Sequence, residues 1–474
     1  MIPIIARGKR VVPMEYRIEE DALGTVKVPK NAYYGSETAR AIENFRISDV
    51  RMQTELINSY AILKKAAALA NMKLGKLDRK IGEAIVYACS EIIGGRLRDQ
   101  FPIDVFQAGA GTSTNMNVNE VIANAAILKL KGRKGDYSIV SPNDHVNMSQ
   151  STNDTFHANT HLAAYKKINS ELLPSLSGLK KGIEAKSRKF SRIIKVGRTH
   201  LQDAVPITLG QEFSGYSGAI GICISEIEHA SASLLELPLG GTAVGTGINA
   251  PKGYPEEVIR QLNSITGLKF TNTKRMFAQM QNQLEEVMVS NSLKIASMAL
   301  SKISNDLRLL ASGPRAGISE ITLPPVQPGS SIMPGKVNPS IPEMVNMVCF
   351  EVNGRCCTIE NAAMSGQLEL NVFMPVIAYN IMFSIGILSN ASSSLAGKCI
   401  SGIRANKAAI NAYLEKDVSV ATALNPYIGY KKAAEIANEA YRSGKSVMEV
   451  CIEKKILDRK ILERILNPKN SISD

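Results

Sequence analysis

The chain has 474 residues, room for two or three domains or one very large core, and its 45% hydrophobic and 21% charged content excludes disordered and fibrous classes. Trp is absent and aromatics are 5%, so the core must rest on Leu, Ile, Val, Met and Ala, which suits helix packing better than a β-sandwich. The formal charge of +13 is compatible with a nucleic acid or an acidic small molecule as partner. Nucleic-acid binding calls for basic clusters interleaved with aromatics. The densest runs, Lys129-Leu-Lys-Gly-Arg-Lys134 and Lys186 to Arg192, carry between them only Phe190, and read as solvated faces. No nucleic-acid partner is expected.

The N-terminal stretch Met1 to Tyr16 has a short apolar run ending in Arg7, Lys9 and Arg10, too short and wrongly flanked for a secretory signal. From Arg17 to about Gln150 short mixed segments alternate with turns, and Ala/Leu/Ile spacing predicts helices over Gln53–Leu77 and Asp78–Arg96. Leu172, Leu176, Leu179 and Ile183 then form a helical stripe, with Pro174 weakening or bending its start. Gln211–Leu237 is another long helix candidate. Leu293, Ala296, Leu300, Ile303, Leu307 and Leu310 step by three and four, a seam suited to near-parallel packing on long partner helices. Val376–Leu388 is apolar on nearly every side and should be buried all round, in a bundle larger than one chain easily surrounds. Oligomerisation is therefore expected. From about Asn406 short helices return. The expected architecture is mainly α: an N-terminal domain over 1–150, an elongated central helical bundle over 151–405, and a small helical domain over 406–474. No segment reads as a membrane helix. Seven scattered Cys without a CxxC point to reduced thiols and a cytoplasmic setting.

Four polar clusters could carry chemistry. Gly109-Ala-Gly-Thr-Ser-Thr-Asn-Met-Asn117 and Ser149-Gln-Ser-Thr-Asn-Asp154 are denser in hydroxyls and amides than helix capping requires. Gly197-Arg-Thr-His-Leu-Gln-Asp203 contains His200. The fourth, Gly329-Ser-Ser-Ile-Met-Pro-Gly-Lys-Val-Asn-Pro339, lies in a Gly/Pro/Ser-rich loop over 312–339 and reads equally as a connector or as an anion pocket that closes on substrate. Neutral donors and helix N-termini together are a means of holding carboxylates. His157 and His161 have the spacing of a helical zinc pair, but Ala158 stands where a metallopeptidase has Glu and no third ligand cluster is evident, so no metal is expected. Gly240-Gly-Thr-Ala-Val-Gly-Thr-Gly247 lacks a surrounding parallel-sheet pattern, so no cofactor site is expected there.

These motifs together resemble the fumarase/aspartase superfamily of lyases. The loop Gly329–Asn338 is similar to the superfamily's most recognisable sequence, and Gly197–Pro206 and Ser149–Asp154 to its other two shared regions, in the right order along nearly the whole chain. Arg17-Ile-Glu-Glu-Asp-Ala-Leu-Gly, Ala32-Tyr-Tyr-Gly35, Ala41-Ile-Glu-Asn-Phe45, Asp104-Val-Phe-Gln-Ala-Gly-Ala-Gly-Thr-Ser and Ser151-Thr-Asn153 resemble the aspartase branch. Class II fumarases typically carry Gly-Ser-Gly-Thr-Gln-Ser and Ser-Ser-Asn at the last two places. Asn117-Val-Asn-Glu-Val and Asn425-Pro-Tyr-Ile-Gly-Tyr lean toward fumarases. One departure is plain: after Asp154 the family has an aromatic followed by Pro-Thr, and this chain has Phe156-His157-Ala158.

The resemblance implies reversible removal of ammonia from L-aspartate to give fumarate, or, as the alternative, fumarate–malate interconversion. It implies Ser330 as the base, with Thr112, Ser151, Thr152 and Ser331 holding an aci-carboxylate intermediate. Lys336 and Asn338 would bind the other carboxylate, and Asn153, Thr199 and His200 would surround the amino group. Glu343 would orient His200. No redox or phosphate cofactor is implied. The assembly implied is a homotetramer in which three subunits build each site.

Overall fold

A computed structural model describes residues 15–471 and is mainly helical. An antiparallel hairpin of β1 (Tyr16–Asp21) and β2 (Gly24–Pro29) opens it, followed by α1 (Ser36–Asn44), α2 (Thr54–Lys73), α3 (Arg79–Ile93), α4 (Thr112–Lys129), α5 (Thr152–Lys167) and α6 (Leu173–Phe190). A second hairpin, β3 (Ile194–Thr199) and β4 (Gln202–Thr208), leads into α7 (Leu209–Ala232), α8 (Tyr254–Thr266), α9 (Met276–Gln281) and α10 (Leu284–Leu310). The long loop then precedes α11 (Ser340–Met364) and α12 (Met374–Ser394), and short helices follow from Lys407. The reading of Met1 to Tyr16 falls almost wholly outside the described residues.

The chain folds into two compact units, each assembled from segments distant in sequence. One takes the chain up to Ser170 with Glu228–Asn291 and Gly354–Ile385. The other takes Glu171–Ile227, Ser292–Asn353 and the chain from Gly386 onward. In the first, α2 packs on α3, α5 and α8 around Leu56, Tyr60, Leu63 and Ala67. In the second, the predicted seam is buried along its whole length, Leu293 through Leu310. The stripe Leu172, Leu176, Leu179, Ile183 is buried too, and Pro174 follows a π-helical turn, Ile168–Leu172, through which α5 runs on into α6, a local widening that accommodates its ring and missing N–H. The segment after 406 has its own core, including Leu424, Ile436, Val450 and Leu462.

One expectation needs correcting. The segment Met374–Gly402 is long and apolar enough to cross a membrane by length and composition, contrary to the reading that none is, but its most apolar window is 67% buried within the chain, as befits a core helix. Within a single chain α12 keeps a half-buried stripe, Val376, Tyr379, Phe383 and Ile387. The Arg355 guanidinium covers part of it, 3.9 Å from the Phe383 ring centroid. All seven cysteines are free thiols, and Phe190 is buried, hence not a stacking platform.

Candidate active site

In the first unit the structure brings the first two clusters together. Thr112 begins α4 after a tight turn in which Gly111 has φ +82°, and a Cβ there would meet the Phe156 ring at 2.2 Å, so only glycine fits. Asn115, one turn into α4, donates to the Thr152 hydroxyl (2.9 Å) and sets the first turns of α4 and α5 side by side. Tyr60 donates to Asn115 Oδ1 (2.8 Å) and lies 2.9 Å from the Thr155 hydroxyl. Asn147 Oδ1 accepts from Lys64, Asn115 and Asn119. Two helix N-termini, with unpaired N–H groups and the positive ends of their dipoles, are thus held together by a buried amide network.

Ser151 is the N-cap of α5, in a capping box with Asp154. Asp154 is fully buried, and burial pushes its carboxyl up to about 7 against the pull of the N–H groups of Ser151, Thr242 and Gly240. Asn153 donates to the Ala243 carbonyl (2.7 Å), which leaves its Oδ1 as the acceptor it can offer a ligand. The Gly240–Gly247 segment is therefore a clamp: its backbone grips the side chains of the second and third residues of α5, Asn153 and Asp154. Thr112 is exposed, while Thr152 is buried.

In the second unit, Thr199 and His200 lie at the tip of the β3–β4 hairpin. His200 and Leu201 both have positive φ (56° and 61°), the conformation of a two-residue hairpin turn, taken here without glycine. Backbone strain of this kind gathers at functional sites. The hairpin is braced below its tip: the buried Glu320 carboxylate bonds Arg198 (2.6 Å) and Lys195 (2.7 Å), and Ser419 donates to the Ala204 carbonyl (2.8 Å). Glu320 belongs to the segment leading into the long loop, so hairpin and loop root are tied by one ion cluster.

The loop folds back on itself. Gly329 N–H donates to the Lys336 carbonyl (2.9 Å), and Asn338 Nδ2 donates to the Gly329 carbonyl (2.7 Å). A Cβ on Gly329 would lie 2.4 Å from the Lys336 oxygen, so this closure requires glycine. Ser330 Oγ accepts from the N–H groups of Ile332 (3.2 Å) and Met333 (3.0 Å). The donors to Ser330 thus come from the two residues after Ser331. An open cavity of about 490 Å³ is lined by Pro325 to Ser330 and Met333 to Val337. Ser331 and Lys336 are exposed, and Asn338 is half-buried.

Glu343 sits half-buried in the first turn of α11, and among the described residues no ion pair joins it to His200. The third donor missing beside His157 and His161 does exist in the fold: Glu286, at the start of α10, reaches both. No local sequence pattern linked Glu286 to that pair, because 125 residues separate it from His161 (286 − 161).

The lyase family profile matches residues 24–354, and a fumarase C C-terminus profile matches residues 420–471. An aspartate ammonia-lyase of Bacillus sp is 48% identical over 454 residues, covering 96% of this chain and 97% of its own length. A class II fumarate hydratase of Thermosynechococcus vestitus is also 48% identical, over 437 residues, covering 92% and 94%. Among solved structures, the cobalt-bound fumarate lyase:delta crystallin of Brucella melitensis matches with a TM-score of 0.92 at 49% identity, covering 96% of this chain and 99% of the other. With clusters, loop and whole-length similarity in agreement, the chain belongs to the fumarase/aspartase superfamily of lyases.

Proposed function

We propose that the chain is an aspartate ammonia-lyase, converting L-aspartate reversibly to fumarate and ammonia. The observation that carries the elimination chemistry is the pair of backbone N–H groups on Ser330 Oγ. A serine oxygen becomes a base only when its negative charge is stabilised, and two fixed N–H dipoles with the Lys336 cation nearby in the same loop act in that direction. Ser330 removes the C3 proton. That proton is weakly acidic beside a carboxylate, so the aci-carboxylate must be held by donors in place beforehand. Thr112, Ser151, Thr152 and Ser331 take that role, each worth about 3 kcal/mol in the transition state.

Lys336 and Asn338 anchor the second carboxylate. Asn153 presents Oδ1 to the ammonium, beside Thr199 and His200, and Glu343 orients His200. The assembly is a homotetramer in which each site takes its segments from three subunits. Single-chain exposure of Thr112, His200, Ser331 and Lys336 favours this reading, since an aci-carboxylate site has to be shielded from water. The exposed apolar side chains Met298, Met347 and Phe350 on α10 and α11 favour it as well.

Ammonia as the leaving group rests on the aspartase-like Ala-Gly-Thr-Ser and Ser151-Thr-Asn153 sequences. The second reading, a class II fumarase, draws on Asn117-Val-Asn-Glu-Val, Asn425-Pro-Tyr-Ile-Gly-Tyr and a fumarate hydratase relative at the same 48% identity. Loss of fumarate absorbance separates the two. Consumption that requires added ammonia and yields aspartate is expected; rapid malate formation in ammonia-free buffer overturns the aspartase reading.

A further inference from the structure

Helix α5 carries a second set of polar side chains that the elimination does not use. His157 and His161 lie one turn apart on α5, and Glu286 in the first turn of α10 faces both. All three side chains are fully buried. The Nε2 atoms of His157 and His161 lie 3.0 Å and 3.2 Å from the same carboxylate oxygen, Oε1. The three candidate ligand atoms all fall within 4.8 Å of one another.

These separations are those of an ion pair, yet the directions do not make hydrogen bonds. Both Nε2 atoms and both Glu286 oxygens are buried without a hydrogen-bond partner. Four buried polar atoms that stand at ion-pair distances but close no hydrogen bond are uncommon in a folded interior and call for an explanation. The rings stand at 90° with centroids 4.7 Å apart, so two nitrogens approach one oxygen from different sides.

The tautomer of His161 is set by its other nitrogen. Nδ1 is 3.0 Å from the Glu236 carbonyl, which can only accept, so Nδ1 carries a proton and Nε2 of the neutral ring offers its lone pair. Metal-binding imidazoles are held in this way. His157 Nδ1 lies 3.5 Å from Gln283 Nε2, which also donates to the Asn282 carbonyl (3.0 Å), so this long contact leaves the His157 tautomer to be set by the ligand on Nε2. A metal-free alternative is a shared-proton triad. Burial pushes Glu286 up, but the two imidazoles outweigh it and hold the carboxyl below its usual range. Such a triad compensates charge, but it wants N–H groups aimed at oxygens, and it leaves Oε2 unsatisfied.

We propose that His157 Nε2, His161 Nε2 and the Glu286 carboxylate bind one divalent transition-metal ion of the zinc class, with water completing a four-coordinate shell. Two imidazoles and one carboxylate suit zinc, cobalt or nickel better than magnesium or calcium, which prefer all-oxygen shells. The ion would bolt α5 to α10 within the first unit. Because α5 begins with Thr152 and Asn153, it would also fix the helix end that carries two proposed substrate contacts.

The test uses the full-length protein, stripped with chelator and reloaded with Zn²⁺ or Co²⁺. Expected are one ion per chain, a Co²⁺ visible spectrum of four-coordinate type without thiolate charge transfer, and a higher thermal midpoint. His157→Gln and Glu286→Gln should each weaken binding at least 10-fold. Wild type that retains no ion, or variants that bind as wild type does, overturns the proposal. Should the variants not fold, zinc X-ray absorption on wild type decides: two imidazoles and oxygen at about 2.0–2.1 Å support it, and sulfur or oxygen-only shells overturn it.

Discussion

Ser330, the proposed base, is a neutral hydroxyl whose surroundings would stabilise a negative oxygen. Its oxygen already accepts two backbone N–H groups in a single chain, and the loop that presents it is closed by Gly329 and Asn338. In a Ser330→Ala variant the loop keeps its Gly329–Lys336 and Asn338–Gly329 bonds, so the fold and assembly should survive. Turnover should fall by roughly 10³-fold, the middle of the range for a general base. Steady-state assay alongside sedimentation measures both, and unchanged turnover would remove Ser330 from its role. Asn153 is the complementary case. Its amide donor is committed to the Ala243 carbonyl, so the fold itself determines which end of the amide faces a ligand.

At the scale of elements, helix ends organise this protein. The first turns of α4 and α5 are tied by Asn115, and the Gly240–Gly247 segment grips Asp154 in the first turn of α5. Helix α1 is capped from elsewhere: Glu120, deep in α4, accepts from the N–H groups of Gly35, Glu37 and Thr38 and from the Thr38 hydroxyl. Burial nevertheless outweighs these donors and pushes the Glu120 carboxyl up to about 7. A folded-state value above the unfolded one means that stability is retained below about pH 4.5 and lost as pH rises through 7. The loss amounts to about 3 kcal/mol for this one group. Urea unfolding from pH 4.5 to 7.5 should therefore show wild type losing stability relative to Glu120→Gln, which cannot ionise. Parallel pH profiles for the two would show that Glu120 titrates normally in the folded chain.

For the whole molecule, exposed apolar surface and exposed catalytic candidates point to the same conclusion. Phe350 (65% exposed) and Met347 (66%) on α11, with Met298 (61%) on α10, are large apolar side chains that a lone chain leaves in water. If the proposed tetramer forms through this face, a Phe350→Asp variant should dissociate it in analytical ultracentrifugation and lose turnover with it, while its helical circular dichroism persists; a fully active monomer would contradict shared sites. Much of this was legible in sequence because it is local. The seam Leu293–Leu310 follows from a 3.6-residue period, Pro174 from its missing N–H, and the loop motif from residues contiguous in the chain. The helix α12 was legible as an interior element, though not its half-buried stripe, because burial depends on neighbours. What only tertiary structure decided are the meetings of distant residues. Asn115 joins Thr152, the Gly240 segment holds Asp154, and Glu286 closes on His157 and His161. Periodicity and propensity report which way a side chain faces along its own element. Hydrogen bonds, desolvation and ligand geometry depend on atoms that only packing brings within 3 Å or so of one another.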